Sequence, residues 1–230
     1  IGENLMADST FEKVLNYFYN DRAGDYGKNA YIFVNDYQTG PRVDVHGGWH
    51  DASGDASKYL SHLSYANYLN PQQIPLTVWA LAFAAEKNPK YLESIGKLES
   101  TKAESVYGAD FLVRMQAEEG FFYMTAFNNW DGGNPLYLCE FKTGDGIKYN
   151  TYQTAYRQGG GMAIAGLARA STLGIDSAYT SAEYLDAAKK GFEHLESKQA
   201  LGGACEYCND GKENIIDDYT ALLAALELYN

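Results

Sequence analysis

The sequence predicts an all-α fold, a double ring of helical hairpins with no substantial sheet. Three features carry that expectation: helical periodicity in six segments, two classes of helix that alternate along the chain, and two long aromatic-rich connections. One class is apolar nearly all round and belongs to an inner layer; the other has a single apolar stripe and belongs outside. Alternating the two is what a double ring of hairpins requires.

In chain order, Phe11, Val14, Leu15 and Phe18 follow the i, i+3, i+4, i+7 spacing of a first amphipathic helix. A second starts near residue 73, with Pro75 in a first turn that needs no N–H, and stops before Pro89. Val106, Ala109, Leu112 and Val113 mark a third. The fourth covers about residues 156–173, is apolar nearly all round from Met162 to Ala170, and ends at Gly174. The fifth, about residues 182–199, stripes Leu185, Ala188, Phe192 and Leu195; the sixth, from about Asp217, carries Tyr219, Leu222, Leu223, Leu226 and Tyr229. The fourth and sixth read as inner, the third and fifth as outer.

Residues 20–56 and 116–155 lack periodicity but hold aromatics such as Phe121, Phe122 and Tyr123, which argue against disorder. Connections that long in a compact domain are functional when they are ordered, so they are expected to line one face of the ring. Short β pieces fit around Tyr31-Ile32-Phe33-Val34. No Pro-rich or Ser-rich linker divides the chain, so residues 1–230 read as one domain.

The 46% hydrophobic and 14% aromatic content supports a packed core. Eighteen Lys and Arg against 30 Asp and Glu leave a net charge of −12, which disfavours nucleic acid and anionic polymers. A neutral or cationic sugar is compatible with that charge, and twenty tyrosines supply flat faces for sugar rings. No apolar run is long enough to span a membrane. Cys205 and Cys208 have the spacing of half a zinc site or a redox pair; with only Cys139 besides, thiols or a disulfide fit better than structural zinc, which takes four protein ligands.

The chemistry concentrates in Gly47-Gly48-Trp49-His50-Asp51-Ala52-Ser53-Gly54-Asp55, followed by Ala56-Ser57-Lys58-Tyr59. Two acids on a turn of small residues cannot both ionise freely when held close, so one can be tuned as a proton acceptor. The same composition also suits a plain turn that caps the next helix. The segment resembles the Gly-Gly-Trp-Tyr-Asp-Ala-Gly-Asp signature of glycoside hydrolase family 9, the inverting cellulases. Tyr17-Phe18-Tyr19-Asn20-Asp21-Arg22-Ala23-Gly24 is similar to that family's Tyr-x-x-Gln-Arg-Ser-Gly, and the stretches Tyr156–Ala165 and Asp217–Ala224 also resemble its helices.

The resemblance implies an (α/α)6 barrel, of which this chain looks like the N-terminal half; the C-terminal half of the same domain is then its partner. It implies inverting hydrolysis of β-1,4-linked glucan or glucosaminide chains, with no cofactor required. Asp55 aligns with the general base and Asp51 with the carboxylate that helps hold the water; the general acid, a Glu, lies outside this chain. Glu206, Glu213 and Glu227 read as surface charge or helix-start polarity. Two departures stand out: Ser53 lengthens the turn by one residue, and His50 replaces the usual Tyr. The Asp-Ala-Ser-Gly-Asp form resembles a branch that includes exo-acting glucosaminidases. A periplasmic or secreted enzyme is expected, with a cytoplasmic one as the alternative. A different class, a non-catalytic toroid that binds carbohydrate or protein on the same face, would use the same residues without turnover.

Trp49 fits either a wall of the sugar subsite or core packing, and His50 either a sugar hydroxyl or a structural bond. Tyr59 is placed to orient Asp55, while Trp130 and Tyr137 are sugar-stacking candidates on the long second connection. Arg157 reads as a surface residue or as the partner of a carboxylate near the ring centre. Gly159-Gly160-Gly161 lacks the Lys-Ser/Thr of a phosphate loop and reads as close helix packing. The oxygen-rich run Asn128–Asn134 makes calcium a candidate ligand without matching an EF-hand.

Overall fold

The computed structural model describes residues 10–24, 31–34, 41–51, 56–61, 72–127, 137–138, 140–142, 147–149, 152–200, 202–208 and 210–230. Helices dominate, as expected: α1 (Glu12–Asn20), α2 (Ile74–Lys87), α3 (Pro89–Ser94), α4 (Leu98–Arg114), α5 (Gly160–Ala170), α6 (Ser181–Lys198) and α7 (Ile215–Tyr229). Every residue of α5 is buried, because α2, α4, α6 and α7 all pack around it. It is the inner helix that its all-round apolar sequence predicts. The glycine run serves that packing: a Cβ on Gly161 would lie 2.8 Å from the Thr220 carbonyl oxygen of α7.

The two helices that follow begin on capping boxes. Thr180 Oγ1 accepts from the Glu183 N–H while the Glu183 carboxylate accepts from the Thr180 N–H, at the start of α6. Asn214 and Asp217 repeat the arrangement at α7. Such reciprocal bonds satisfy N–H groups that the helix itself leaves orphaned.

Several expectations need correction. Pro89 does end α2, but it also opens α3 at once, because proline suits a first helical position. The third predicted helix, now α4, is not an outer one. It buries Thr101, Glu104, Ser105 and Asp110 beside its apolar residues, since these polar groups find partners inside. Ser105 donates to the Val78 carbonyl at 2.9 Å, and Asp110 accepts from Ser177, Ala178, Tyr179 and Tyr184. The fifth, α6, carries a single stripe as expected, but the buried residues are Tyr184, Ala187, Ala188, Gly191 and Leu195, with Leu185 and Phe192 half-buried. The sixth, α7, was expected inside, yet it buries Asp217, Thr220, Ala224 and Glu227 and leaves Leu222 61% and Leu226 50% exposed. Within this chain it is an edge helix, because apolar residues all round need neighbours on every side.

The long connections also hold more β structure than expected. Five strands of two or three residues join in the order β2-β1-β5-β4-β3. They are β1 (Tyr31–Phe33), β2 (Arg42–Asp44), β3 (Lys58–Tyr59), β4 (Thr125–Phe127) and β5 (Tyr137–Leu138). The β1–β5 pair is parallel and the rest antiparallel. A separate hairpin pairs β6 (Glu140–Lys142) with β7 (Ile147–Tyr149). Strands this short cannot display a two-residue alternation, so nothing in their sequence announces them. The sheet fastens the first long connection to the second and sets β3 directly after the acid-bearing turn.

Candidate functional site

The site grows from the backbone of Gly47-Gly48. Both glycines have positive φ, +85° and +74°, and a Cβ on Gly48 would meet the Phe111 ring at 2.8 Å. Only glycine makes that turn against α4 without strain. The chain then zips to the end of α1: the Ala23 N–H donates to Gly48 O at 2.8 Å and the His50 N–H to Asp21 O at 3.2 Å. Beneath the turn lies Lys58, a fully buried lysine. Its ammonium donates to the carbonyls of Val45 and Gly47 and sits 4.9 Å from the Phe111 ring centre. An ammonium taken from water is costly unless oxygens surround it, so the carbonyls and the lysine hold each other in place.

Trp49 packs in the core and also edges a cleft. It is 3% exposed, packs edge-on against Phe18, and donates its indole N–H to Glu104 at 2.9 Å. Glu104 in turn accepts two bonds from the Arg22 guanidinium, at 2.7 and 3.2 Å. One edge of the same Trp49 lines an open cleft of about 250 Å³ with Phe18, Asp21, His50, Asp51 and Gln73. His50 Nδ1 lies 3.2 Å from the Ala56 carbonyl, an acceptor, so this nitrogen carries a proton and donates.

Asp51 stands in this cleft, half-buried. Its N–H donates to the Ser57 carbonyl at 2.9 Å, and its Oδ1 accepts a bond from the Gln73 side-chain amide. Asp21 faces it from the end of α1. Burial raises the Asp21 carboxyl above the usual carboxylate value, the His50 charge lowers it, and the Asp51 charge raises it further. Two carboxylates therefore share one cleft, and among the described residues that line it there is no Glu.

The other expected residues are placed less uniformly. Tyr59 is 2% exposed on β3, paired through its backbone with Thr125 of β4, and does not line the cleft. Asp55, Trp130 and the run Asn128–Asn134 lie outside the described residues, as does Cys139. Tyr137 is described as part of β5, paired with Phe127. Arg157 is buried, not a surface residue, and pairs with the carboxylates of Asp210 at 2.9 Å and Asp217 at 3.7 Å. Glu227 is held by Arg169 and Trp79, and Glu206 pairs with Lys198, so neither reaches the cleft.

Cys205 and Cys208 form a disulfide in the α6–α7 connection. With Asp217 they make a buried cluster of metal-type ligand atoms within 4.8 Å of one another. The donor set does not fit a cation. The thiols are joined, both Asp217 oxygens already accept backbone N–H bonds from Arg157 and Asn214, and the Arg157 guanidinium lies beside them.

The sequence pattern of glycosyl hydrolase family 9 matches residues 8–230. The chain belongs to this family. No curated protein matches the family 9 chain. Among solved structures, a metagenome-derived family 9 endoglucanase is 22% identical with a TM-score of 0.61, over 94% of this chain and 41% of its own. A termite endoglucanase from Nasutitermes takasagoensis is 18% identical with a TM-score of 0.63, over 96% and 51%. An endoglucanase from Clostridium thermocellum complexed with cellotetraose is 17% identical with a TM-score of 0.56, over 95% and 33%. At these identities the likeness is one of fold, and the chain spans between 33% and 51% of each structure's length.

Four residues of the site were not singled out in the sequence: Asp21, Lys58, Gln73 and Glu104. Asp21 carried a signal, since it stands where the family pattern has Gln. Gln73 and Glu104 lie 22 and 55 residues from the side chains they bond, and no spacing rule reaches that far.

Proposed function

We propose that the family 9 chain is the base-bearing part of an inverting glycoside hydrolase that cleaves β-1,4-linked glucan or glucosaminide chains. Asp55 is the general base, Asp51 holds the attacking water with it, and the general acid comes from the remainder of the domain. The observation that carries this reading is Asp51 itself. It stands in an open cleft walled by Trp49 and reachable by solvent, four residues before Asp55 in the sequence. Inversion needs the acid on the opposite sugar face, with about 6.5–9.5 Å between the carboxyls for a water. A second element can supply that spacing.

A neutral or cationic sugar suits a chain of net charge −12, and the Clostridium relative was solved with cellotetraose. Calcium in the Asn128–Asn134 run is a stabiliser in this reading, not a reactant. The buried disulfide favours an oxidising compartment, the periplasm or the cell exterior.

The test is kinetic and stereochemical. In the full-length domain, Asp55→Ala should lose about 10²–10⁴-fold in kcat with sugar binding kept, and Asp51→Ala should lose less. Initial product read by proton NMR should be the α-anomer. Wild-type turnover by Asp55→Ala, or a β-anomer first, would overturn the assignment. Residues 1–230 alone should release no reducing sugar.

A further inference from the structure

Gln73 occupies the N-cap of α2, a position where Ser, Thr, Asn or Asp would normally bond the helix's own N–H groups. Its side chain makes no cap bond. Instead it leaves the helix and donates to Asp51 Oδ1. The backbone of Gln73 is held from both sides: its N–H donates to the Leu60 carbonyl at 3.1 Å, and its own carbonyl accepts from Thr77 at 3.0 Å. Pro75 sits in the same first turn, so the approach of this residue to the cleft is rigid. A long amide at a capping position, on a fixed backbone, serves the carboxylate and not the helix.

From this we infer that Gln73 is a positioning residue: through its bond to Oδ1 it fixes the direction in which the Asp51 carboxylate meets the water. The inference rests on the reading of Asp51 given above. A neutral amide is suited to the task because it can donate at any pH without adding charge. Charged groups approach Asp51 from several of the described elements. Asp21 faces it from the end of α1 and His50 lies on its own turn. Lys58 on β3 is bound to carbonyls beneath the turn, and the first turn of α2 brings no acidic group. Replacing the amide by a carboxyl therefore introduces one new titration next to Asp51.

The experiment uses the full-length enzyme with cellotetraose and tetraglucosamine, following whichever the wild type cleaves. Gln73→Leu should lower kcat by about 10–100-fold with KM within about twofold, because a misaimed reacting group costs rate more than binding. Gln73→Glu keeps the shape but repels Asp51 when both are ionised, so it should be impaired at neutral pH. It should recover as pH falls and the pair shares a proton, since the protonated Glu side chain can donate as the amide does. A merely structural role would show no such recovery. Wild-type kcat in Gln73→Leu, or no recovery of Gln73→Glu at acid pH, overturns the inference; if Gln73→Leu does not fold, the isosteric Glu variant decides alone. Wild-type turnover by Asp51→Asn would remove Asp51 from the reaction, a failure of the functional reading that these variants separate from a failure of Gln73.

Discussion

Asp21 shows what the cleft does to a carboxylate at its edge. Its folded value is raised by burial and by the Asp51 charge, so the fold disfavours its ionised form. The stability it contributes is present below the ordinary carboxylate range and is lost as pH rises through its raised folded value. Asp21→Asn removes that loss. The variant should melt higher than wild type at pH 7, by less than about 1 kcal/mol because the group is partly solvent-exposed, and should match it near pH 3. Thermal melts at the two pH values check this; a variant less stable at pH 7 would mean that Asp21 is held by a cation instead. Asp51, His50 and Trp49 were legible because they share one short segment with Gly47-Gly48, where turn chemistry and carboxylate spacing can be read directly. Their partners were not, since Gln73, Glu104 and Asp21 reach the turn only through the packing of α2, α4 and α1 onto it.

The connection between α6 and α7 illustrates what short elements contribute. It closes on the Cys205–Cys208 disulfide, and it delivers Asp210 and Asp217 to the buried Arg157 guanidinium. Tyr207, between the two cysteines, stacks on His194 of α6 and bonds its Nε2 at 2.7 Å. A four-residue loop restricts the unfolded chain modestly, by about 2 kcal/mol on the chain-entropy account. Cys205→Ser combined with Cys208→Ser should therefore lower stability by about that amount, and reductant should do the same to the wild type while leaving the double variant unchanged. A double variant that melts with the wild type would show that Arg157 and its two carboxylates hold the connection without the sulfurs. The longer helices were legible from apolar periodicity, while the six-residue α3 was too short to show one. The strands were not, since two or three residues carry no period, and α4 misled because its buried Glu104 and Asp110 look like a solvent face until their partners are known.

Across the whole chain, α5 is enclosed on all sides while α7 is not. Ile215, Tyr219, Leu222, Leu226 and Tyr229 recur at i, i+4, i+7, i+11 and i+14, forming one exposed apolar face. A contiguous patch of that kind is rare on a finished monomer and marks a surface made to be covered. The chain spans 41% of one family 9 endoglucanase and 51% of another, so the remainder of the domain is the occupant we propose for it. Residues 1–230 alone should then bind an apolar dye and self-associate, and Leu222→Lys with Leu226→Lys should suppress both. In the full-length domain the same pair would bury two ammonium groups without partners, which costs several kcal/mol each and should prevent folding. A full-length double variant that melts like the wild type would mean that the face stays in water. The barrel would then close along some other helix, and the general acid would have to reach Asp51 and Asp55 from a different side of the cleft.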